Sequence, residues 1–343
     1  MSFRTALIGC GSIGSRYDEK ENNGAIYTHA GLVSTTEGLE LVALCDVDSV
    51  RLQAAGKYWN VNAIYTEVEK MLEVERPEVI CVATPDDTHT ELLRMILHKA
   101  TPRLVFTEKP LASTLSDAVA LVSAFENAGV ILLVDHVRRY DANHRTIRLA
   151  LSKGELGPVQ GINGCYVRGL LHNGCQMINT LRFLFGPVEG VQALGVDGRG
   201  SLPGDPSLSF ALQMVSGPLA VCRGMDQEGM AWSIFEIDIF GLGGRLRLIE
   251  GGFKTEYFSV QSSSLFPNFS LLVPTKSNWQ KFTYGSALRR AGKQMVRVLA
   301  QGNDNVDNLA TTTLEDLAVV EAVRRSAQEG NRFIAINPSE YKR

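Results

Sequence analysis

Two hydrophobic patterns divide the chain, and the first covers its N-terminal part. Short unbroken apolar runs occupy residues 5–8, 41–45, 79–83, 104–107 and 130–134. Stretches of helical periodicity lie between them, at residues 49–58, 67–73, 88–99 and 115–128. Thr66 followed by Glu69 predicts a capping box at one helix start. Apolar runs without polar alternation are typical of parallel strands covered on both faces, so the pattern predicts a doubly wound α/β sheet over residues 1–137.

The second pattern begins after about residue 137 and contains longer, alternating runs. These runs occupy residues 159–167, 188–196, 208–215, 219–225, 234–240, 245–249 and 257–261. Helical periods occupy residues 143–153, 175–185, 287–300 and 314–328, and a short strand is expected near 333–336. Alternation indicates strands with one solvated face. Residues 138–343 are therefore predicted to form a C-terminal α+β domain, for substrate binding and oligomerisation, with a large, mostly antiparallel sheet.

Composition argues against several classes of protein. The net charge is −3, so the chain lacks the strong positive field that is typical of a nucleic-acid binder. No apolar run approaches the roughly 20 residues that span a bilayer, and the N-terminus has no signal-peptide pattern. The six cysteines include no C-x-x-C pair. We expect a cytoplasmic protein without nucleic-acid or membrane partners.

A glycine loop follows the first apolar run and gives the first chemical signal. Gly9, Gly11 and Gly14 match the pattern G-x-G-x-x-G, with Ser12 and Ile13 between the last two. The first glycine permits the tight turn, the second lets a pyrophosphate approach the backbone, and the third allows close helix packing. The loop predicts a Rossmann dinucleotide site.

An acid that follows the second apolar run supports this assignment. Asp46 should bind the adenosine ribose hydroxyls and repel a 2′-phosphate, which favours NAD over NADP as the cofactor. Asp46 lies 32 residues after Gly14, whereas about 20 are expected. Residues 17–28 are polar and interrupt the helical period, so they are interpreted as an insertion, either a surface loop or a flap near the ligand.

Two further motifs carry a family resemblance. Ala83-Thr84-Pro85 with His89 follows one strand, and Thr107-Glu108-Lys109-Pro110 follows the next. With the glycine loop, they make the chain resemble the glucose–fructose oxidoreductase/inositol dehydrogenase (Gfo/Idh/MocA) family over nearly its whole length. The resemblance implies hydride transfer between nicotinamide and a carbinol carbon, with Lys109 as acid/base. It also implies cofactor contacts at Thr84, Pro85, His89 and Glu108, and identifies His29 with a histidine on the family's first helix.

The C-terminal motif departs from the family. Relatives carry an aspartate and a histidine four residues apart, where this chain has His172 and Gln176. Glutamine cannot transfer a proton near neutral pH. Three interpretations stay open: Lys109 acts alone while Gln176 binds substrate, His172 takes the proton role, or the site binds ligand without redox turnover.

The remaining candidates concern substrate and assembly. The expected substrate contacts are Arg138, Tyr166, Arg168, Asn173 and Gln176, although Arg138 or Arg139 could instead form a structural ion pair. No metal site is expected, because no H-x-x-x-H spacing occurs. The predicted function is an NAD-dependent oxidoreductase acting on a sugar or nucleotide-linked sugar. The alternatives are a cyclitol dehydrogenase and a sensing or regulatory dinucleotide-binding protein without turnover. We expect a homodimer or homotetramer.

Overall fold

The computed structural model describes residues 2–19, 25–198, 203–275, 284–302, 306 and 308–341. Within it the chain forms two compact units. One consists of Met1–Asp141 with Thr283–Leu314, and the other of Ala142–Phe282 with Glu315–Arg343. The division into domains after residue 137 stays a prediction.

The first unit is built on a six-stranded parallel sheet. Its strands are β1 (Phe3–Ile8), β2 (Leu39–Cys45), β3 (Ile64–Tyr65), β4 (Val79–Val82), β5 (Leu104–Thr107) and β6 (Ile131–Val134). Their order is β3-β2-β1-β4-β5-β6, and all neighbours are parallel. This is the Rossmann order, whose direction reverses between β1 and β4, where such sheets bind ligands. The predicted doubly wound sheet is confirmed.

Helices cover this sheet, and three of the six begin at a side-chain cap. They are α1 (His29–Thr35), α2 (Ser49–Trp59), α3 (Val68–Glu75), α4 (His89–Lys99), α5 (Leu115–Asn127) and α6 (Val137–Tyr140). The side chains of Thr28, Asp48 and Thr114 accept hydrogen bonds from the first turns of α1, α2 and α5. The predicted capping box at Thr66 is wrong. The helix begins later, with Glu67 at the cap position and no side-chain cap.

The predicted insertion separates the glycine loop from α1. A π-helical turn, Ser12–Arg16, follows the loop, and α1 begins only at His29. Asp18 connects the two ends of the inserted segment, because its carboxylate accepts hydrogen bonds from the backbone N–H groups of Tyr27 (2.8 Å) and Thr28 (3.1 Å). Hydrogen bonds therefore hold the two ends of the inserted segment together next to the start of α1.

The second unit contains a nine-stranded sheet. After α7 (Ala142–Ser152) and α8 (Cys175–Phe185), its strands are β7 (Val159–Val167), β8 (Val188–Gly198), β9 (Ser207–Met214), β10 (Leu219–Met225), β11 (Phe235–Gly241), β12 (Gly244–Ile249), β13 (Lys254–Ser262), β14 (Ser270–Pro274) and β15 (Ile334–Ala335). The order is β14-β13-β12-β11-β7-β10-β9-β8-β15. The neighbours are antiparallel except for β7 and β10. This confirms the predicted mostly antiparallel sheet.

The two faces of this sheet differ as the alternation predicts. Leu246 and Leu248 are buried, whereas Arg245 and Arg247 lie on the other face, where both pair with Asp238. One edge strand, β14, exposes Leu271 and Leu272. Because its apolar positions do not alternate with polar ones, the pattern did not predict it.

Two long helices complete the fold, α9 (Tyr284–Gln301) and α10 (Ala310–Gln328). Helix α9 belongs to the first unit, where Arg103 donates a hydrogen bond to the carbonyl oxygen of Leu299 at 2.6 Å. Among the described helices, none combines the length and apolar character needed to cross a membrane.

Candidate functional site

The glycine loop lies at the carboxyl end of β1. Gly9 has a φ of +95°, and a Cβ there would overlap the carbonyl oxygen of Ala83. A Cβ at Gly14 would overlap the carbonyl oxygen of Gly9, whereas a Cβ at Gly11 would meet open space. Two glycines thus allow tight packing, and Gly11 leaves room beside the backbone, as a pyrophosphate requires. Ser12 is exposed and Ile13 is partly exposed on the following turn.

Asp46 lies beside this loop at the end of β2. Its Oδ2 accepts a hydrogen bond from the backbone N–H of Cys10 (2.7 Å), and its Oδ1 accepts one from that of Asp48 (2.9 Å). Arg51 binds both acids, with Nη1 3.5 Å from Asp46 Oδ2 and Nη2 3.2 Å from Asp48 Oδ2. The guanidinium is therefore engaged by two carboxylates at the end of β2.

His89 connects the loops that follow β4 and β5. Its Nδ1 lies 2.6 Å from the carbonyl oxygen of Pro110, and its Nε2 lies 3.0 Å from that of Thr84. The ring is fully buried, Thr84 is partly exposed and Pro85 is exposed. His89 thus holds the two loops together, and Thr84 and Pro85 are the members of this predicted group that reach solvent.

A buried ionisable cluster occupies the carboxyl ends of β5 and β6. His29 Nε2 lies 3.1 Å from Glu108 Oε1 and 3.9 Å from Asp135 Oδ2. Burial by itself lowers the pKa of His29, but hydrogen bonds to Cys81 and Glu108 outweigh it and raise the pKa to about 10. Burial raises the pKa of Asp135 to about 7, and Glu108 adds to the shift. His29 keeps the pKa of Glu108 low despite burial.

The same three side chains bring together metal-ligand atoms, all within 4.8 Å of one another. Sequence spacing could not indicate this group, because its members come from three separate elements. A pKa of about 10 favours the protonated His29 imidazolium, which pairs with the Glu108 carboxylate.

Lys109 and Arg138 lie next to the cluster in the sequence and act on it electrostatically. Lys109 is partly exposed, and its backbone N–H donates to Glu108 Oε2 at 3.2 Å. The Lys109 charge lowers the pKa of both Glu108 and Asp135, and Arg138 lowers that of Asp135. Arg138 is buried in the short helix α6, and its role as a substrate contact or an ion-pair partner stays a prediction.

In the second unit, an aspartate organises the turn that carries His172. The π-helical turn Leu170–Gly174 precedes α8, and Asp205 accepts hydrogen bonds from the backbone N–H groups of Leu171 and His172 at 2.9 Å and 3.0 Å. Arg324 donates to the same carboxylate at 3.1 Å. Gly169 (φ +97°) is required here, because a Cβ would overlap Asp205.

The predicted substrate residues of this unit differ in exposure. Asn173 and Gln176 form an amide pair, with Gln176 Nε2 donating to Asn173 Oδ1 at 3.2 Å. Among the described residues, Asn173 Nδ2 is buried and has no hydrogen-bond partner. His172 is partly exposed and Arg168 is exposed. Tyr166 is fully buried and donates to the carbonyl oxygen of Leu208 at 2.6 Å, so its hydroxyl has a structural partner within the unit.

Sequence reasoning assigned no role to two of these residues. Asp135 lies close in the sequence to Arg138, which was predicted, but nothing in the sequence showed that it lies near His29 and Glu108 in the fold. Asp205 follows Gly204 in a turn segment and matches no motif. A buried acid that binds backbone N–H groups has no signature in a single sequence, since the contacts depend on the fold.

Comparison with known proteins identifies relatives of the chain and of its fold. Residues 3–136 match the model of an oxidoreductase family with an NAD-binding Rossmann fold, Gfo/Idh/MocA. The chain is 26% identical to D-apiose dehydrogenase of Paraburkholderia graminis, over 96% of this chain and 88% of that protein. It is also 26% identical to an inositol 2-dehydrogenase of Salmonella paratyphi B, over 48% of this chain and 46% of that protein, so this match spans less than half of the relative.

A solved structure shares the whole fold. The WlbA dehydrogenase of Bordetella pertussis, crystallised with NADH and UDP-GlcNAcA, superposes with a TM-score of 0.76 at 19% identity and covers 98% of each chain. The parallel sheet, the glycine loop and the match to residues 3–136 lead to one conclusion. The N-terminal part of the chain carries the NAD-binding Rossmann fold of the Gfo/Idh/MocA oxidoreductases, and the chain as a whole is similar to sugar dehydrogenases.

Proposed function

We propose that the protein is an NAD-dependent dehydrogenase that transfers hydride between nicotinamide and a carbinol carbon of a sugar or nucleotide-linked sugar, with Lys109 as the acid/base. The observation that carries the proposal is the position of Lys109. Lys109 follows β5 at the carboxyl edge of the sheet, and β5 is the neighbour of β4, which borders the switch point. His89 fixes the loop that carries Lys109 through its contact with the carbonyl oxygen of Pro110.

The residues at the carboxyl ends of β1 and β2 fit a dinucleotide. Gly11 leaves open space beside the backbone, and Asp46 offers a buried, oriented carboxylate. Asp46 and Asp48 both bind Arg51, so two carboxylates engage this guanidinium. This environment favours ribose hydroxyls over a 2′-phosphate, and therefore NAD over NADP.

The chemistry then divides between cofactor and protein. NAD supplies the carbon that exchanges hydride with the substrate. The Lys109 amine takes the proton of the substrate hydroxyl during oxidation and returns it to the oxygen during reduction. Glu108 fixes the residue by accepting the backbone N–H of Lys109. His172 and Arg168 offer polar groups for substrate, as do Gln176 and Asn173, whose buried Nδ2 suits a substrate oxygen.

The names of the relatives support the substrate class. A D-apiose dehydrogenase among them supports a sugar substrate, and an inositol 2-dehydrogenase keeps a cyclitol as the second candidate. The amide of Gln176 cannot carry a proton, and this observation favours Lys109 over a lysine–histidine pair.

Turnover of a defined panel tests the proposal. D-apiose, myo-inositol and a nucleotide-linked sugar are incubated with NAD⁺ or NADP⁺, and absorbance at 340 nm is followed. Lys109→Met should abolish turnover while NADH still binds, as measured by fluorescence. The matched control is Lys99→Met, on the surface of α4, which should keep wild-type rates. Tight NADH binding without turnover of any panel member would favour the non-enzymatic alternative.

We also propose a homodimer or homotetramer. The second unit exposes large apolar side chains around its edge hairpin, namely Leu265, Phe266, Phe269, Leu271 and Leu272. Apolar surface of this kind is typical of protein interfaces. Light scattering coupled to size-exclusion chromatography measures the mass, and a monomer at micromolar concentration would contradict the proposal.

A further inference from the structure

The turn before α8 carries a buried amide that is only half satisfied. Asn173 is 3% exposed, and its Oδ1 accepts a hydrogen bond from Gln176 Nε2 at 3.2 Å. Among the residues that the structure describes, the Nδ2 of Asn173 has no hydrogen-bond partner. A buried donor that stays unpaired is unfavourable, and most buried polar side-chain atoms have a partner. Folding alone therefore gives no reason to place an NH₂ group at this position.

This amide lies directly below the surface of the second unit. Within residues 170–181, the side chains that reach solvent are those of His172 and Gln176, both partly exposed, and the other residues of this stretch are buried. Because Gln176 contacts Asn173, the amide is separated from solvent by a single side chain. The surface formed by His172 and Gln176 is therefore the place where a ligand can approach the Asn173 amide.

The backbone that carries the amide is fixed from within the unit. The turn Leu170–Gly174 is π-helical, a geometry that occurs frequently at functional sites. Asp205 holds this turn by accepting hydrogen bonds from the backbone N–H groups of Leu171 and His172. A polar group on a rigid support binds a ligand atom with little further loss of conformational entropy. The turn thus has the support that a binding group requires.

We propose that Gln176 orients the Asn173 carboxamide so that its Nδ2 donates a hydrogen bond to a non-reacting hydroxyl oxygen of the substrate. The inference rests on the function proposed above and deepens it. Gln176 Nε2 donates to Oδ1 of Asn173, and this bond turns Nδ2 away from Gln176. An amide N–H keeps its proton near neutral pH, so it suits an oxygen that takes no part in proton transfer. Asn173 then determines specificity for a polyol with a hydroxyl at one defined position, and Gln176 is a positioning residue.

Substrate analogues test the contact between Asn173 and one hydroxyl. The panel member that is turned over is compared with monodeoxy analogues, each of which lacks one non-reacting hydroxyl. In the wild type, one analogue should lose about 10- to 100-fold in kcat/KM, because it leaves Nδ2 unpaired. In Asn173→Leu the parent substrate should lose a similar factor, and the same analogue should lose little more. If this analogue loses the full wild-type factor again in Asn173→Leu, the proposal is overturned.

Asn173→Asp covers the case in which leucine prevents folding. The aspartate keeps the shape and an acceptor for Gln176, but it has an oxygen in place of the NH₂ donor. We expect kcat/KM to fall about 10- to 100-fold, chiefly through a higher KM, because a binding interaction is lost. Wild-type kcat/KM in Asn173→Asp, or equal rates with every monodeoxy analogue in the wild type, would contradict the proposal.

The orientation that Gln176 imposes can be observed without turnover. In protein labelled with ¹⁵N at asparagine side chains, the NH₂ signals of Asn173 are assigned by their loss in Asn173→Asp. Gln176→Glu should shift them, because a carboxylate cannot donate to Oδ1 and the carboxamide rotates until Nδ2 binds the new carboxylate. Gln328→Glu, at an exposed position at the end of α10, is the matched control and should leave them unchanged. Unchanged signals in Gln176→Glu would show that Gln176 does not set the orientation.

The same signals report the ligand. Adding the panel member that is turned over to the NADH complex should shift the NH₂ signals of Asn173. Those of Asn143 should stay in place, because its Nδ2 already binds Thr255 Oγ1 at 2.8 Å. The response should disappear in Gln176→Glu. Asn173 signals that do not move at a saturating concentration of this ligand would overturn the proposal.

These experiments separate the two possible failures. If no panel member is turned over, the proposed function fails, and the Asn173 signals in Gln176→Glu still decide whether Gln176 orients the amide. If turnover occurs and the analogue loses the same factor in the wild type and in Asn173→Leu, the proposed function holds and the role of Asn173 is wrong.

Discussion

The backbone N–H of Cys10, inside the glycine loop, donates a 2.7 Å hydrogen bond to Oδ2 of Asp46. The same carboxylate that is proposed to select the ribose therefore also fixes the loop that faces the phosphates. Cofactor choice and loop geometry depend on one side chain, which determines what its substitution should do.

Asp46→Asn should weaken NAD binding and reduce the preference for NAD over NADP. The amide keeps an acceptor for the Cys10 N–H but loses the charge that strengthens hydrogen bonds to ribose, worth about 1.5–3 kcal/mol, or roughly 10- to 150-fold in Kd. Calorimetry with NADH and NADPH measures both affinities. Asp117→Asn, an acid in the first turn of α5, is the control and should change them little, and equal effects of the two substitutions would contradict this role for Asp46.

Asp205→Asn should loosen the turn that carries His172. The carboxylate accepts from two buried backbone N–H groups and from Arg324, and the amide cannot satisfy all three donors. We expect a loss of about 1–3 kcal/mol in the free energy of unfolding and a higher KM for the sugar, with Kd for NADH unchanged. Urea denaturation and steady-state kinetics check this. An unchanged KM would mean that the turn does not contribute to substrate binding.

Arg182→Met should destabilise the second unit strongly. The guanidinium is mostly buried and pairs with Glu315 at 2.8 Å and with Asp316, which also accepts from Asn179 at 2.7 Å. Removing one partner of a buried ion pair leaves uncompensated charge and costs about 3–5 kcal/mol. Thermal denaturation measures the loss. The surface substitution Arg94→Met, which breaks exposed ion pairs, should lower the melting temperature far less.

Stability should fall as pH rises, because two buried groups hold their protons more tightly when folded. The pKa of His29 is raised to about 10, so its contribution is complete below its ordinary pKa near 6.5 and is lost as pH rises through 10. The pKa of Asp135 is raised to about 7, so its protonated form favours folding at low pH and this advantage is lost as pH rises through 7.

Asp135→Asn isolates the second contribution. The free energy of unfolding should fall less between pH 5.5 and 8.5 in this variant than in the wild type, because the amide does not titrate. Guanidinium denaturation at the two pH values measures the difference. An identical decrease in both proteins would show that Asp135 does not titrate in this range.

The periodicity of the chain predicted most of the sheet and helix positions, because burial on one or both faces imposes a regular spacing. It failed where burial is partial or the element is short. Strand β3 has two residues and could not form a run, and exposed β14 lacks alternation.

The candidate site was predictable only where its residues stand in motifs. The loop of Gly9, Gly11 and Gly14 and the acid Asp46 could be identified because backbone geometry demands those residue types. His29 and Glu108 are in contact although they lie 79 positions apart in the sequence. Asp205 likewise binds the backbone of His172 from 33 positions away. Such contacts follow from the topology of the sheets and leave no local pattern.

The position of α9 in the sequence determines when the first unit can complete its folding during synthesis. Its buried face, including Leu288 and Met295, belongs to the first unit, although it is synthesised after residues 142–282 of the second. The first unit therefore receives this helix, which packs against α1 and α6, only after most of the second unit has been synthesised. A gene fragment that ends at residue 137 would leave that surface uncovered, whereas one that joins residue 141 to residue 283 through a linker would supply the missing helix.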